Sequence, residues 1–147
     1  CVVGNACELK NALLFNRAHV SHFNYVGDSI LGYRSHLGAG VKISNVKIFP
    51  GHVMVEVEGK RIDTGLAKFG ALVGDRAEVG CNAVLNPGTI LGRDTRVYPN
   101  VNWRGALAAG GIAKNRAQVE VIVRSPSDPG LSDASGATPS GLGTDAA

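Results

Sequence analysis

Within seven residues, His22-Phe-Asn-Tyr-Val-Gly-Asp28, the chain carries an imidazole, an amide, a phenol and a carboxylate. Histidine is the side chain best able to accept a proton near neutral pH. A second amide, Asn45, ends the run Leu37-Gly-Ala-Gly-Val-Lys-Ile-Ser-Asn45. A neutral amide near a base orients a substrate or donates to a developing oxyanion. A lone histidine on a turn more often only hydrogen-bonds that turn, so His22 and Asn45 do chemistry only if some element brings them onto one face.

Residues 72–103 name that element. Aliphatic residues stand at Val73, Val79, Leu85, Leu91 and Val97, and small or β-branched residues (Ala77, Ala83, Thr89, Thr95, Val101) lie four places after each. A helix would repeat every three to four residues and a strand every two. A period of six predicts a parallel β-helix, in which each hexad is a short strand plus a turn and three hexads close one coil. The aliphatic residue should point inward and the small one lie beside it under the turn. Upstream, hexads start at Val3, Leu9 and Phe15, slip across residues 18–25, and resume at Val26, Leu31, Leu37 and Ile43. The slip predicts irregular backbone around His22. Residues about one coil (~18) apart stack directly, which can bring distant positions together.

Residues 46–70 break the period. Val53-Met-Val-Glu-Val-Glu alternates, Gly59-Lys60 reads as a turn and Arg61-Ile-Asp-Thr as the return, which predicts an inserted β-hairpin. The period is lost again at 104–124, where Gln118-Val-Glu-Val-Ile-Val123 looks strand-like. The organisation expected is all-β: a β-helix over 1–124 with its insert, then a disordered tail over 125–147. In that tail 16 of 23 residues are Gly, Ser, Pro or Ala, too few large apolar groups to offset ordering entropy. The single Trp103 is expected in the core or a subunit interface.

The net charge of +3 argues for no nucleic-acid partner, and the tail holds three Asp and no Lys or Arg. The rest therefore has 15 basic against 9 acidic residues, +6, which suits a small anionic ligand. Cys1, Cys7 and Cys81 lack metal-ligand spacing and read as reduced thiols of a cytoplasmic protein. No long apolar run suggests a membrane partner. The four histidines, 19, 22, 36 and 52, have no repeating spacing, which leaves a shared zinc site the weaker reading. The chain opens without Met and already inside a repeat, so it is expected to be the C-terminal piece of a longer polypeptide.

Three blocks carry a resemblance: Glu8-Leu-Lys-Asn-Ala-Leu-Leu, His22-Phe-Asn-Tyr-Val-Gly-Asp-Ser-Ile-Leu-Gly32, and Leu37-Gly-Ala-Gly40 leading to Asn45. Over about residues 1–105 they resemble the C-terminal acetyltransferase domain of bifunctional sugar-1-phosphate nucleotidyltransferases, the glucosamine-1-phosphate acetyltransferase/N-acetylglucosamine-1-phosphate uridyltransferases. Val55-Glu-Val-Glu-Gly-Lys-Arg-Ile-Asp-Thr-Gly65 and Leu85-Asn-Pro-Gly88 are most similar to the archaeal-type branch. The resemblance implies a left-handed β-helix, a homotrimer with active sites between subunits, and a nucleotidyltransferase domain preceding this chain. It implies acetyl transfer from acetyl-CoA to the amine of an amino-sugar 1-phosphate, with no metal. His22 would be the general base, and Asn45 would hold the amine or the oxyanion. Lys10 and Tyr25 would contact the sugar phosphate, and Ala39 and Cys81 would line the acetyl-CoA groove. Two departures stand out: His36 replaces the bacterial Asn before Gly-Ala-Gly, and of the lysines that follow the family's Asn only Lys47 is offered. The alternative is a domain that only trimerises and positions the nucleotidyltransferase.

Overall fold

A computed structural model describes residues 1–115; the strand expected at 118–123 and the tail over 125–147 lie outside them. The six-residue period becomes a left-handed parallel β-helix of three faces. Strands Val2–Val3, His19–Val20, His36–Leu37, Glu78–Val79, Arg96–Val97 and Ile112–Ala113 pair in parallel as the first face. Lys42–Ile43, Val84–Leu85 and Asn102–Trp103 lie on the second, and Ala71–Val73, Thr89–Leu91 and Ala106–Leu107 on the third. Glu8–Leu14 and Tyr25–Leu31 each run across both of those faces. No helix occurs among the described residues, so none there is long and apolar enough to cross a membrane.

The aliphatic positions of the hexads form the core. Val20, Val26, Leu31, Leu37, Ile43, Val73, Val79, Leu85, Leu91 and Val97 are buried, and Ala77, Ala83, Thr89, Thr95 and Val101 fill the corners beside them. Burying each Val, Leu or Ile stabilises the column by roughly 1.5–3 kcal/mol before entropy is counted. Trp103 caps this column, partly buried against it, with its indole N–H donating to the Gly105 carbonyl at 3.2 Å.

The expected slip at 18–25 is not an irregularity. Asn11 and Asp28, at φ of 50° and 45°, each turn the corner between the second and third faces with one left-handed residue. There the left-handed residue comes two places after the aliphatic one, where the six-residue corners have it three places after (Arg76 after Val73, Asn82 after Val79), and the step from Leu9 to Leu14, or Val26 to Leu31, is five residues. Leu14, not Phe15, takes the inward place, and Phe15 is exposed. The lower coils thus repeat every 17 residues, and His22 sits on a regular corner. The solenoid also continues past 104: Gly105 shortens the corner, and Ile112–Ala113 pairs with Arg96–Val97.

The insert leaves the helix after Asn45, at the same corner as Asp28. An isolated bridge between Val46 and Lys68 closes its base, where the Phe69 N–H donates to the Asn45 carbonyl at 2.9 Å. Met54–Val57 and Lys60–Asp63 form the hairpin. Its turn is Glu58-Gly59, one residue earlier than expected, because both residues have positive φ (51° and 74°) and so match the twist of the strands. Val55 within the hairpin and Val53 just before it are buried.

Candidate active site

The corner between the first and second faces stacks Asn5, His22, Ala39, Cys81 and Pro99 on successive coils. The Gly40 N–H donates to the His22 carbonyl and the Asn82 N–H to the Ala39 carbonyl, both at 2.9 Å. His22, Ala39 and Cys81 therefore form one column, Ala39 and Cys81 being the two residues expected along the acetyl-CoA groove. The His22 imidazole is exposed and takes no hydrogen bond among the described residues, while its backbone is fixed. Its N–H donates to Asn24 Oδ1 at 3.0 Å, and Asn24 Nδ2 donates to the Gly38 carbonyl at 2.7 Å. Asn24 is 2% exposed and stands in a column otherwise made of Cys7, Val41, Ala83 and Val101. Sequence reasoning gave it no role; a polar residue on an inward corner position was the available signal.

Lys10, Tyr25 and Asn45 occupy the other edge of the second face. Lys10 pairs with Gly27, and Tyr25 lies over that glycine with its hydroxyl donating to Asn45 Oδ1 at 3.4 Å. A Cβ on Gly27 would stand 2.6 Å from Asn45 Nδ2 and 2.8 Å from the Tyr25 hydroxyl, so only glycine leaves room for their meeting. Asn45 is 8% exposed. Its Nδ2 donates to Asp28 Oδ2, and Asn11 Nδ2 donates to Asp28 Oδ1 at 3.1 Å. Hydrogen bonds from Asn45, then Asn11, outweigh burial and, with Lys68 and Lys10 nearby, hold the Asp28 carboxyl below its usual range. The Asn11–Asp28–Asn45 ladder was missed at the sequence level because its 17-residue spacing is visible only once the coil length is known.

One chain does not bring His22 against Asn45. His22 aligns with Ala39, six positions before Asn45, or about 15–20 Å at ~3.3 Å per residue. A single amine nitrogen cannot reach both side chains.

Above Asn45 the insert overhangs the second face and encloses a groove of about 470 Å³ lined in part by Ser44, Lys47, Phe49, Arg61, Asn86 and Arg104. Most of its lining is apolar, with Val46, Ile48, Val53, Met54, Val84 and Pro87 completing it, and Lys47, Arg61 and Arg104 are its cations.

The histidines are closer in phase than their spacing implied. His19 and His36 sit side by side on adjacent coils, edge to face with centroids 6.4 Å apart, because the coil is 17 residues long. The next rung is Glu78, whose Oε2 lies 3.1 Å from His36 Nδ1. Among the described residues no three His, Cys, Asp or Glu side chains gather as a metal site.

No family model matches the chain. It is 35% identical over 97 residues to the bifunctional sugar-1-phosphate nucleotidylyltransferase/acetyltransferase of Sulfurisphaera tokodaii, covering 66% of this chain and 24% of that protein. It is 31% identical over 98 residues to the bifunctional protein GlmU of Methanococcus maripaludis, covering 67% and 24%. A putative uncharacterized acetyltransferase of Escherichia coli, YaiX, is 31% identical over 99 residues, 67% of this chain and 43% of that one. The chain thus spans about a quarter of the length of the bifunctional relatives. Among solved structures, serine acetyltransferase isoform 3 of Entamoeba histolytica shares the fold, with a TM-score of 0.51 at 10% identity over 78% of this chain and 36% of that one. Serine acetyltransferase 1 of the same organism gives 0.51 at 17% over 71% and 37%. The chain matches the C-terminal acetyltransferase part of the bifunctional sugar-1-phosphate nucleotidylyltransferase/acetyltransferases.

Proposed function

We propose that this domain transfers an acetyl group from acetyl-CoA to the amine of an amino-sugar 1-phosphate, at a site shared between copies of the chain. The observation that carries the reading is the division of the second face. An exposed imidazole, His22, stands at one edge, and Lys10, Tyr25 and Asn45 gather at the other. His22 of one copy faces Tyr25 and Asn45 of the next, so both edges border one substrate. The thioester lies along the Ala39–Cys81 column. The amine attacks the thioester carbonyl carbon and its proton passes to His22; the C–S bond breaks and the proton returns to the departing thiolate. Lys10 and the Tyr25 hydroxyl hold the sugar phosphate, with Lys47, Arg61 and Arg104 adding positive charge from the groove.

The assembly is a homotrimer. Its support is the outer side of the third face, where Leu13, Ile30, Leu72, Ile90 and Ala106 stand in register as an unbroken apolar row. The polypeptide also carries a nucleotidyltransferase domain, so that the acetylated product is passed to nucleotidyl transfer in the cytoplasm.

The test is thiol release from acetyl-CoA with glucosamine 1-phosphate or galactosamine 1-phosphate as acceptor. His22→Ala should lower kcat by about 10²–10⁴-fold, the typical worth of a general base, with no change in melting temperature. Equal background rates in both proteins would leave only the scaffold reading.

A further inference from the structure

We infer that Asp28 is a positioning residue that fixes the orientation of the Asn45 amide, so that Asn45 serves the reaction as a hydrogen-bond acceptor for the substrate amine and not as an oxyanion donor. This rests on the acetyl-transfer reading above. An ionised carboxylate has no proton to donate and accepts only. Asn45 and Asn11 approach Asp28 from the coils on either side, so both must turn their NH2 groups toward it. The two amides thus hold the carboxylate ionised, and the carboxylate in turn forbids either amide to flip. Lys10 and Lys68 are the cations that bear on it.

With its nitrogen hemmed between Asp28 and Gly27, Asn45 has its oxygen left to face the Tyr25 hydroxyl. A carbonyl oxygen carries two lone pairs, so it can accept from Tyr25 and from a substrate N–H together. Holding the amine by one N–H aims its lone pair at the thioester while the neighbouring copy's base removes the other proton. An oxyanion needs donors, and this oxygen offers none.

Exchanging the pair separates the two roles. In Asp28→Asn with Asn45→Asp the hydrogen bond runs the other way, an acceptor oxygen still faces Tyr25, and the amide N–H donors of position 45 are gone. The double variant should turn over at least about tenfold faster than Asn45→Ala, since the acceptor geometry survives. Asp28→Asn alone should lose about 10–100-fold in kcat, with KM for acetyl-CoA unchanged. A double variant that melts like wild type but is as inactive as Asn45→Ala would overturn the inference. A second readout needs no catalysis. On acidification of the wild-type 147-residue chain, the side-chain amide NMR signals of Asn11 and Asn45 should move together as Asp28 takes up a proton, and independent or absent movement would contradict the ladder. Wild-type protein that releases no thiol while the two signals still move together would sink the acetyl-transfer reading and leave the fixed amide standing.

Discussion

Asn24 fixes the corner that carries His22: its buried side chain bonds the backbone there, while the imidazole stays exposed. Its three partners are the His22 N–H, the Gly38 carbonyl and, more weakly, the Cys7 thiol at 3.6 Å. Asn24→Val fits the apolar column but strands a backbone donor and a backbone acceptor in the interior. The expected cost is about 1–3 kcal/mol, read by chemical denaturation, with a fall in kcat larger than the change in KM for either substrate. Unchanged kcat in a destabilised protein would reduce Asn24 to a structural role. His22, Tyr25 and Asn45 stood out in the sequence by type, and the roles proposed for them come from the resemblance. Asn24 and Asp28 were not given roles, because their importance lies in what they accept from neighbouring coils, and a linear reading does not contain those neighbours.

At the scale of the element, each corner is a column of left-handed residues. Ala6, Phe23, Gly40, Asn82 and Asn100 form the column beside His22, with φ between 53° and 74°. Asn and Gly tolerate this conformation, whereas a phenylalanine costs roughly 1–2 kcal/mol there. Phe23 is also 67% exposed, so burial returns little. Phe23→Asn should therefore stabilise the domain by about 1 kcal/mol, measured as a shift in the denaturation midpoint. Loss of stability instead would mean that the phenyl ring is buried against another copy. The hexads made the β-helix legible through five consecutive coil positions, and the insert was legible from the alternation of Val53, Val55 and Val57. The coil length was not, because at Asn11 and Asp28 the left-handed residue comes one place earlier than at the six-residue corners, which removes one residue per coil without leaving a Gly or Pro mark. That one residue explains both the misplaced Phe15 and the unexpected alignment of His19 with His36.

For the whole molecule, the contrast between outer faces is what supports the proposed trimer. The first face presents His19, His36, Glu78 and Arg96 in register, a row well suited to water. The third presents Leu13, Ile30, Leu72 and Ile90, a row that water solvates poorly. Ile30→Asp, which keeps the buried core intact, should convert the trimer to monomer in light scattering and abolish thiol release with it. A trimer that survives this change would place the interface on another face. The shared site is tested most directly by mixing. His22→Ala and Asn45→Ala should each be inactive alone. When the two are denatured and refolded together, random assortment gives about one interface in four an intact His22 from one copy and an intact Asn45 from the next, given a closed ring of identical contacts. Recovery of roughly a quarter of wild-type activity is the expected result; a mixture as inactive as its components would show that each chain must supply both residues itself.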